Sequence, residues 1–180
     1  MEHIRVITDK DFNIEPIEFK TPTRTRVGAR GIVLDSDGKI AIFNKTLKNE
    51  FKLPGGGVED NEDLEIAFKR EVMEETGCEV EIIQKLGTIV EEKSQDNFIQ
   101  TSHVFVSKVI NNTQNLNLTQ KEIDEGAKLI WVTPSEGLKL VSDSINNLVG
   151  SKYENVYHSK FIVTRDATIL EYYINNFLNN

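Results

Sequence analysis

Along the first third of the chain, apolar residues gather in short β-branched runs or alternate with polar ones, and the breaks between runs carry glycine or Asx residues. The stretch "RVGARGIVLDSDGKIAIFNK" reads as two strands, Val27 to Leu34 and Lys39 to Asn44. They are joined at Asp35-Ser36-Asp37-Gly38, where Asp-Gly supplies hairpin chemistry. A short strand in "EFKLPGGG" is broken by Pro54 and the glycines that follow it. The period then becomes helical over "EDLEIAFKREVMEET", which has no internal Gly or Pro. Asp60 or Asn61 is the expected cap, Glu62, Asp63 and Glu65 suit the positive end of the helix dipole, and Gly77 is the stop.

The runs "EVEIIQKLGTIVEE" and "NFIQTSHVFVSKVI" are rich in β-branched and aromatic residues and predict strands. The polar, Asn-rich "NNTQNLNLTQKEIDEG" predicts a mobile loop. "AKLIWVT" is a further strand, and Pro134 turns the chain into a short helix, "SEGLKLVSDSI". In "RDATILEYYINNFL", Ile169, Leu170, Tyr173, Ile174, Phe177 and Leu178 fall on one face of an amphipathic helix. Strands interleaved with helices favour a mixed α/β fold with a sheet covered on both faces. No internal repeat or linker divides the chain, so residues 1–180 are expected to be one domain.

The bulk numbers narrow the function. A length of 180 residues is enough for one hydrophobic core. A net charge of -8 argues against a surface built to hold long nucleic acid. It does not exclude a small phosphate substrate, because divalent cations reverse the local sign of a carboxylate-lined site. The lone cysteine, Cys78, precludes an intrachain disulfide and points to a cytosolic compartment. The opening "MEHIRVITDKDFNIEPIEF" has mixed charge and no apolar run, so neither a secretory signal nor a membrane span is expected there.

The helix from Glu62 to Thr76 is the anomalous element. At about 100° per residue, Leu64, Ala67, Phe68, Glu71, Glu74 and Glu75 share an arc of roughly 120°. The stripe is apolar for two turns and carboxylate for the next. At spacings of about 6 Å and an effective dielectric of about 20, each pair of carboxylates costs on the order of 3 kcal/mol. A cation is called for. Arg70 reaches Glu74 one turn on, and reaches Glu62 only if the chain bends back at the helix start, which leaves Glu71 and Glu75 without a clear partner. A hard cation that takes carboxylate oxygens and substrate phosphate together is one remedy, and a solvated acidic face is the plain alternative.

The spacing decides between them. Gly56, Glu62, Arg70-Glu71-Val72, Glu74-Glu75 and Gly77-Cys78 stand at every defined position of the Nudix box, so the chain resembles the Nudix hydrolases. The resemblance extends over Arg24 to Ser142, leaving 1–23 as an N-terminal extension and 143–180 as a helical tail. It implies an α/β/α sandwich with a mixed sheet and an added C-terminal helix. It also implies Mg²⁺- or Mn²⁺-dependent hydrolysis of a nucleoside diphosphate linked to another group.

Carried over by the resemblance, the metal ligands are the Gly56 carbonyl, Glu71, Glu74 and Glu75, while Glu62 and Arg70 form the ion pair that ties loop to helix. Glu71 is the favoured general base and Glu75 the other candidate. A further acid beyond the box is expected at Glu125, with Glu122 second. Lys45 stands where the family often has a basic phosphate contact. Arg30 interrupts an apolar strand and is a candidate for the pocket, as are Phe51 and Phe98 for stacking on a base. His103, Trp131 and Cys78 are read as structural. The expected substrate is a small nucleotide, first a nucleoside triphosphate, oxidised purines included, giving a monophosphate and pyrophosphate, with ADP-ribose or a nucleotide sugar as the alternative. A nucleotide-sensing module without turnover is a second class, disfavoured because every box glutamate is present. A prenyl diphosphate isomerase is a third, disfavoured because the only cysteine ends the box. No membrane partner is expected, and the assembly state, a homodimer included, is left open.

Overall fold

The computed structural model describes residues 2–178 and begins with an element the sequence reading left unassigned. Strand β1 (His3–Thr8) pairs in parallel with part of a long strand, Cys78–Lys93, so the N-terminal extension is built into the sheet edge. β2 (Arg24–Leu34) starts three residues ahead of the expected strand and turns at Asp35–Gly38 into β3 (Ile40–Lys45). The Asp35 side chain accepts from the Asp37 and Lys39 amides and fixes that turn. β4 (Glu50–Lys52) and β5 (Gly55–Gly57) flank Pro54.

Helix α1 (Leu64–Thr76) is shorter at its start than expected, because its cap is Asp63 and not Asp60 or Asn61. The Asp63 carboxylate accepts from the Glu65 and Ile66 amides, whereas Asn61 sits in the left-handed region inside a turn. Gly77 closes the helix at φ 68°, a conformation that favours glycine. β6 (Cys78–Lys93) and β7 (Phe98–Asn112) form a long antiparallel pair, and β7 runs parallel to all of β2.

Within the stretch expected to be a loop, Thr119 and Glu122 form a capping box that supports a five-residue helix, α2 (Gln120–Asp124). β8 (Ala127–Val132) pairs with β3, and α3 (Pro134–Ser144) follows. The tail helix, α4 (Val156–Tyr173), begins nine residues before the expected start, capped by Asn155. Its first turns hid from periodicity because "VYHSKFIVTR" is apolar on more than one side. That composition suits a helix that both packs on a sheet and borders a cleft.

The eight strands form one mixed sheet in the order β1-β6-β7-β2-β3-β4, with β5 added to β2 and β8 to β3. Strand alternation sends neighbouring residues into two cores. Ile32, Ile40, Ile42, Val104 and Val106 pack with Val141 of α3 and Val163, Ile169 and Leu170 of α4. Ala29, Val33, Ala41 and Phe105 pack with Ala67, Phe68 and Val72 of α1. The expected α/β/α sandwich is therefore present. Each fully buried Leu, Ile or Phe adds about 1.5–3 kcal/mol, so both helical layers are needed to hold the sheet. Among the described residues, no helix is long and apolar enough to cross a membrane.

Candidate active site

The glycine run pairs edge to edge with β2, Gly55 opposite Arg30, Gly56 opposite Ala29 and Gly57 opposite Gly28. Each of the three is needed for close approach. A β-carbon on Gly56 would fall 2.3 Å from Glu71 Oε2, one on Gly57 would fall 2.4 Å from the Arg26 guanidinium, and one on Gly55 would strike Arg30. Glu71, Arg26 and Arg30 thus crowd onto one strand of bare backbone, on the border of a cleft of about 750 Å³.

Arg70 binds loop to helix. Its guanidinium donates to both Glu62 oxygens at 2.8 and 3.0 Å, to the Gly57 carbonyl at 3.0 Å and to Glu71 at 3.0 Å, with Glu74 at 3.5 Å. The chain does bend back at the helix start, and hydrogen bonds from Arg70 lower the Glu62 carboxyl to about 2. Glu75 is also not the partnerless group expected of it. It is buried, takes the Lys52 ammonium at 2.6 Å and accepts the Gly55 amide at 2.8 Å. Burial raises its carboxyl even so, and burial together with Glu71 raises Glu74. Lys52 went unnoticed in the sequence because it stands on β4, far from α1 along the chain.

Of the expected site residues, Gly56, Glu71, Glu74, Glu75, Arg70, Arg30 and Lys45 line the cleft. Glu125 does not. Its carboxylate is buried against Lys45 at 2.8 Å and accepts from Ser151 at 2.6 Å, while Glu122, the second choice, does line the cleft. A cation on the neighbouring strand β3, 80 residues back in the chain, draws Glu125 inward, which chain position alone does not reveal. Lys45 is itself committed to Glu125, with Glu50 at 3.8 Å; burial works against its charge, but Glu50 and then Glu125 raise its ammonium. Phe51 faces a separate, smaller groove with Leu140 and Asn147, and Phe98 stands in the main cleft instead. His103 is half-buried on β7 outside the cleft lining, Trp131 packs against the α1-side core, and burial raises the Cys78 thiol.

The chain's acidity does not extend into the cleft. Its described lining holds nine lysines and arginines against five glutamates, a surplus of four positive charges. A chain-wide charge of -8 reports the sum and not where folding gathers each sign. Several of these cations belong to residues that sequence reading passed over: Arg24 and Arg26 on β2, Lys93 on β6 and Arg165 on α4. The alternation Arg24, Arg26, Arg30 on one strand was the signal available.

Arg165 sits at the centre of a buried ion network. It donates to Asp166 at 2.7 Å and to Glu91 at 3.0 Å, and Asp166 accepts the Leu53 amide at 2.9 Å. The C-terminal helix therefore holds the chain directly ahead of the glycine run. Arg30 lies beside this network, 5% exposed, bonded through Nε to Ser102; burial and the Arg165 charge lower its guanidinium to about 10.

Glu71, Glu74, Glu75 and the Gly56 carbonyl offer only oxygen donors, the chemistry a hard divalent cation requires. The space that a β-carbon at Gly56 would fill keeps backbone and carboxylate adjacent. Among the described residues, no three carboxylate, imidazole or thiol groups are gathered into a cage. Lys52 and Arg70 at present hold Glu75 and Glu71, so a bound cation would share those carboxylates with them. The donor set fits such an ion.

A family model described as NUDIX domain matches residues 24–148. A "MutT-like protein" from Streptomyces ambofaciens is 27% identical over 122 residues, covering 68% of this chain and 73% of that protein. A Bacillus subtilis protein named "Putative 8-oxo-dGTP diphosphatase" is 32% identical over 107 residues, covering 59% of this chain and 66% of its own length. Among solved structures, a MutT protein from Methanosarcina mazei superposes with a TM-score of 0.51 at 18% identity, over 81% of this chain and 97% of that one. It shares the fold.

Proposed function

Because this chain belongs to the NUDIX family and is a Nudix pyrophosphohydrolase, we propose that it cleaves a nucleoside triphosphate to a monophosphate and pyrophosphate with Mg²⁺ or Mn²⁺. Residues 24–148, α4 and β1 act as one catalytic unit in this reading. The observation that carries it is the contact between bare backbone at Gly56 and the Glu71 carboxylate, inside a cleft that is otherwise cationic. Carboxylates that can take a metal and a surplus of lysine and arginine in one cleft suit a substrate that brings phosphates to a metal.

Glu71, Glu74 and the Gly56 carbonyl, with Glu75, would hold the cation. When bound, the metal neutralises phosphate oxygens and lowers the cost of forming a nucleophile from water. Glu71 takes the proton of the attacking water, being the carboxylate set against the glycine strand. Arg70 fixes the Glu71 orientation and, through the Gly57 carbonyl, the loop. Arg30 receives a phosphate oxygen, since its guanidinium has no carboxylate within 4.0 Å among the described residues. Lys45, already neutralised by Glu125 and Glu50, is the weaker candidate for that contact.

The name of the Bacillus relative supports an oxidised purine triphosphate within this class. ADP-ribose or a nucleotide sugar is the alternative. A panel of triphosphates, 8-oxo-dGTP, ADP-ribose and nucleotide sugars in Mg²⁺, with products separated by chromatography, decides between them. The expected result is release of pyrophosphate from a triphosphate. A kcat/KM for ADP-ribose about tenfold above every triphosphate, equivalent to about 1.4 kcal/mol in transition-state binding, would reverse the choice.

Metal binding has its own signature in the absence of substrate. Free Mg²⁺ a hundredfold above its dissociation constant is expected to stabilise the protein by about 2.7 kcal/mol. Thermal melting with and without EDTA measures this. An unmoved curve at millimolar Mg²⁺ would remove the metal from the reading.

A further inference from the structure

Residues two apart on a strand share a face, so Arg24, Arg26, Gly28 and Arg30 form one row on β2. Ile32 continues that row into the core beneath α4, which places the arginines on the α4 side of the sheet. The row runs about 20 Å, from Arg30 beside Gly55 to the exposed Arg24. That is longer than one diphosphate requires.

The row is not balanced by its surroundings. Around Arg30 the buried ionic groups are Arg30, Lys52, Lys93 and Arg165 against Glu75, Glu91 and Asp166, four cations to three anions. Glu91 is shared by Lys93 at 2.9 Å and Arg165 at 3.0 Å, and Asp166 is taken by Arg165. Arg26 lies over Gly57 and has no carboxylate within 4.0 Å among the described residues. Arg24 rests on the Phe98 ring, 4.9 Å from its centroid, and Lys93 lies 5.4 Å from the same ring. With two cations on Phe98, this end of the cleft is better suited to an anion than to a stacked base.

We propose that Arg24 and Arg26 form a second anion subsite, which binds a phosphate on the 3′ side of the nucleotide whose 5′ phosphates lie at Arg30 and Gly55. This rests on the nucleotide reading above and extends it. In this placement the ribose lies between Arg30 and Arg26, and a 3′-phosphate, the next anionic group of the nucleotide, meets the two arginines that continue the row. The same chemistry belongs to a free 3′-phosphate and to the phosphodiester of a second, 3′-linked nucleotide.

Calorimetric titration of the wild-type protein in Mg²⁺ with guanosine 5′-monophosphate and guanosine 3′,5′-bisphosphate tests the subsite without turnover, as neither ligand has an anhydride. The 3′-phosphate is expected to tighten binding about tenfold or more, the scale of a charge-assisted hydrogen bond. The double variant Arg24→Ala/Arg26→Ala should lose most of that gain while binding of the monophosphate changes by less than about threefold, and Arg24→Lys/Arg26→Lys should recover much of it. A 3′-linked dinucleotide with a 5′-phosphate separates the two sources: a gain matching that of the bisphosphate assigns the site to a diester as well, and no gain restricts it to a terminal 3′-phosphate. Equal affinity of wild type for monophosphate and bisphosphate, or equal weakening of both in the alanine variant, overturns the proposal. Failure to hydrolyse any triphosphate in the panel while the 3′ gain persists would count against the nucleotide triphosphate reading alone.

Discussion

Glu71→Gln is expected to lower kcat by about 10²-fold or more while the protein stays folded. The amide retains the shape of the carboxylate but can neither accept the proton of a water molecule nor carry charge for a cation. The lost function lies at the reacting end of the cleft, against Gly56, so a conservative change removes chemistry without opening a cavity. Stability should change little, because Glu71 is held by one contact from Arg70, which keeps its paired hydrogen bonds to Glu62. The checks are steady-state kinetics in Mg²⁺ and a melting curve in EDTA, where Tm should lie within about 5 °C of wild type. Near-normal turnover would end the assignment of Glu71. A collapse of Tm without metal would make it a structural group instead.

Arg165→Met is expected to have the largest effect on stability, a loss of about 3–5 kcal/mol. Methionine fills much of the volume, yet it leaves Asp166 without its guanidinium and Glu91 with Lys93 and Gln100 as its hydrogen-bond partners among the described residues. Both carboxylates are fully buried, so each loses a compensating charge where solvent screens it least. Urea denaturation read by fluorescence or circular dichroism gives the difference directly. Loss of less than about 1 kcal/mol would mean that the network relaxes around the gap. Activity should fall as well, since Asp166 holds the Leu53 amide ahead of the glycine run. That coupling makes α4 part of the site even though it lies beyond the residues matched by the family model.

Sequence alone determined the local chemistry and the elements that carry it. The Asp-Gly turn, the α1 span to within a few residues, the Gly77 stop and the box glutamates follow from neighbours in the chain, and local rules of backbone and periodicity act over such distances. The Glu62 to Arg70 pair was legible through the family resemblance, since helix geometry alone left it conditional on a bend at the helix start. Tertiary structure decided which charges meet. Lys52 reaches Glu75 across 23 residues, Lys45 takes Glu125 away from the cleft across 80, and Arg165 meets Glu91 across 74. The placement of Phe98 in the cleft and of Phe51 outside it was settled in the same way, by strand order and register. Ion pairing depends on distance in space and on burial, and neither is encoded in spacing along the chain. For that reason an acidic sequence folds around a cationic cleft.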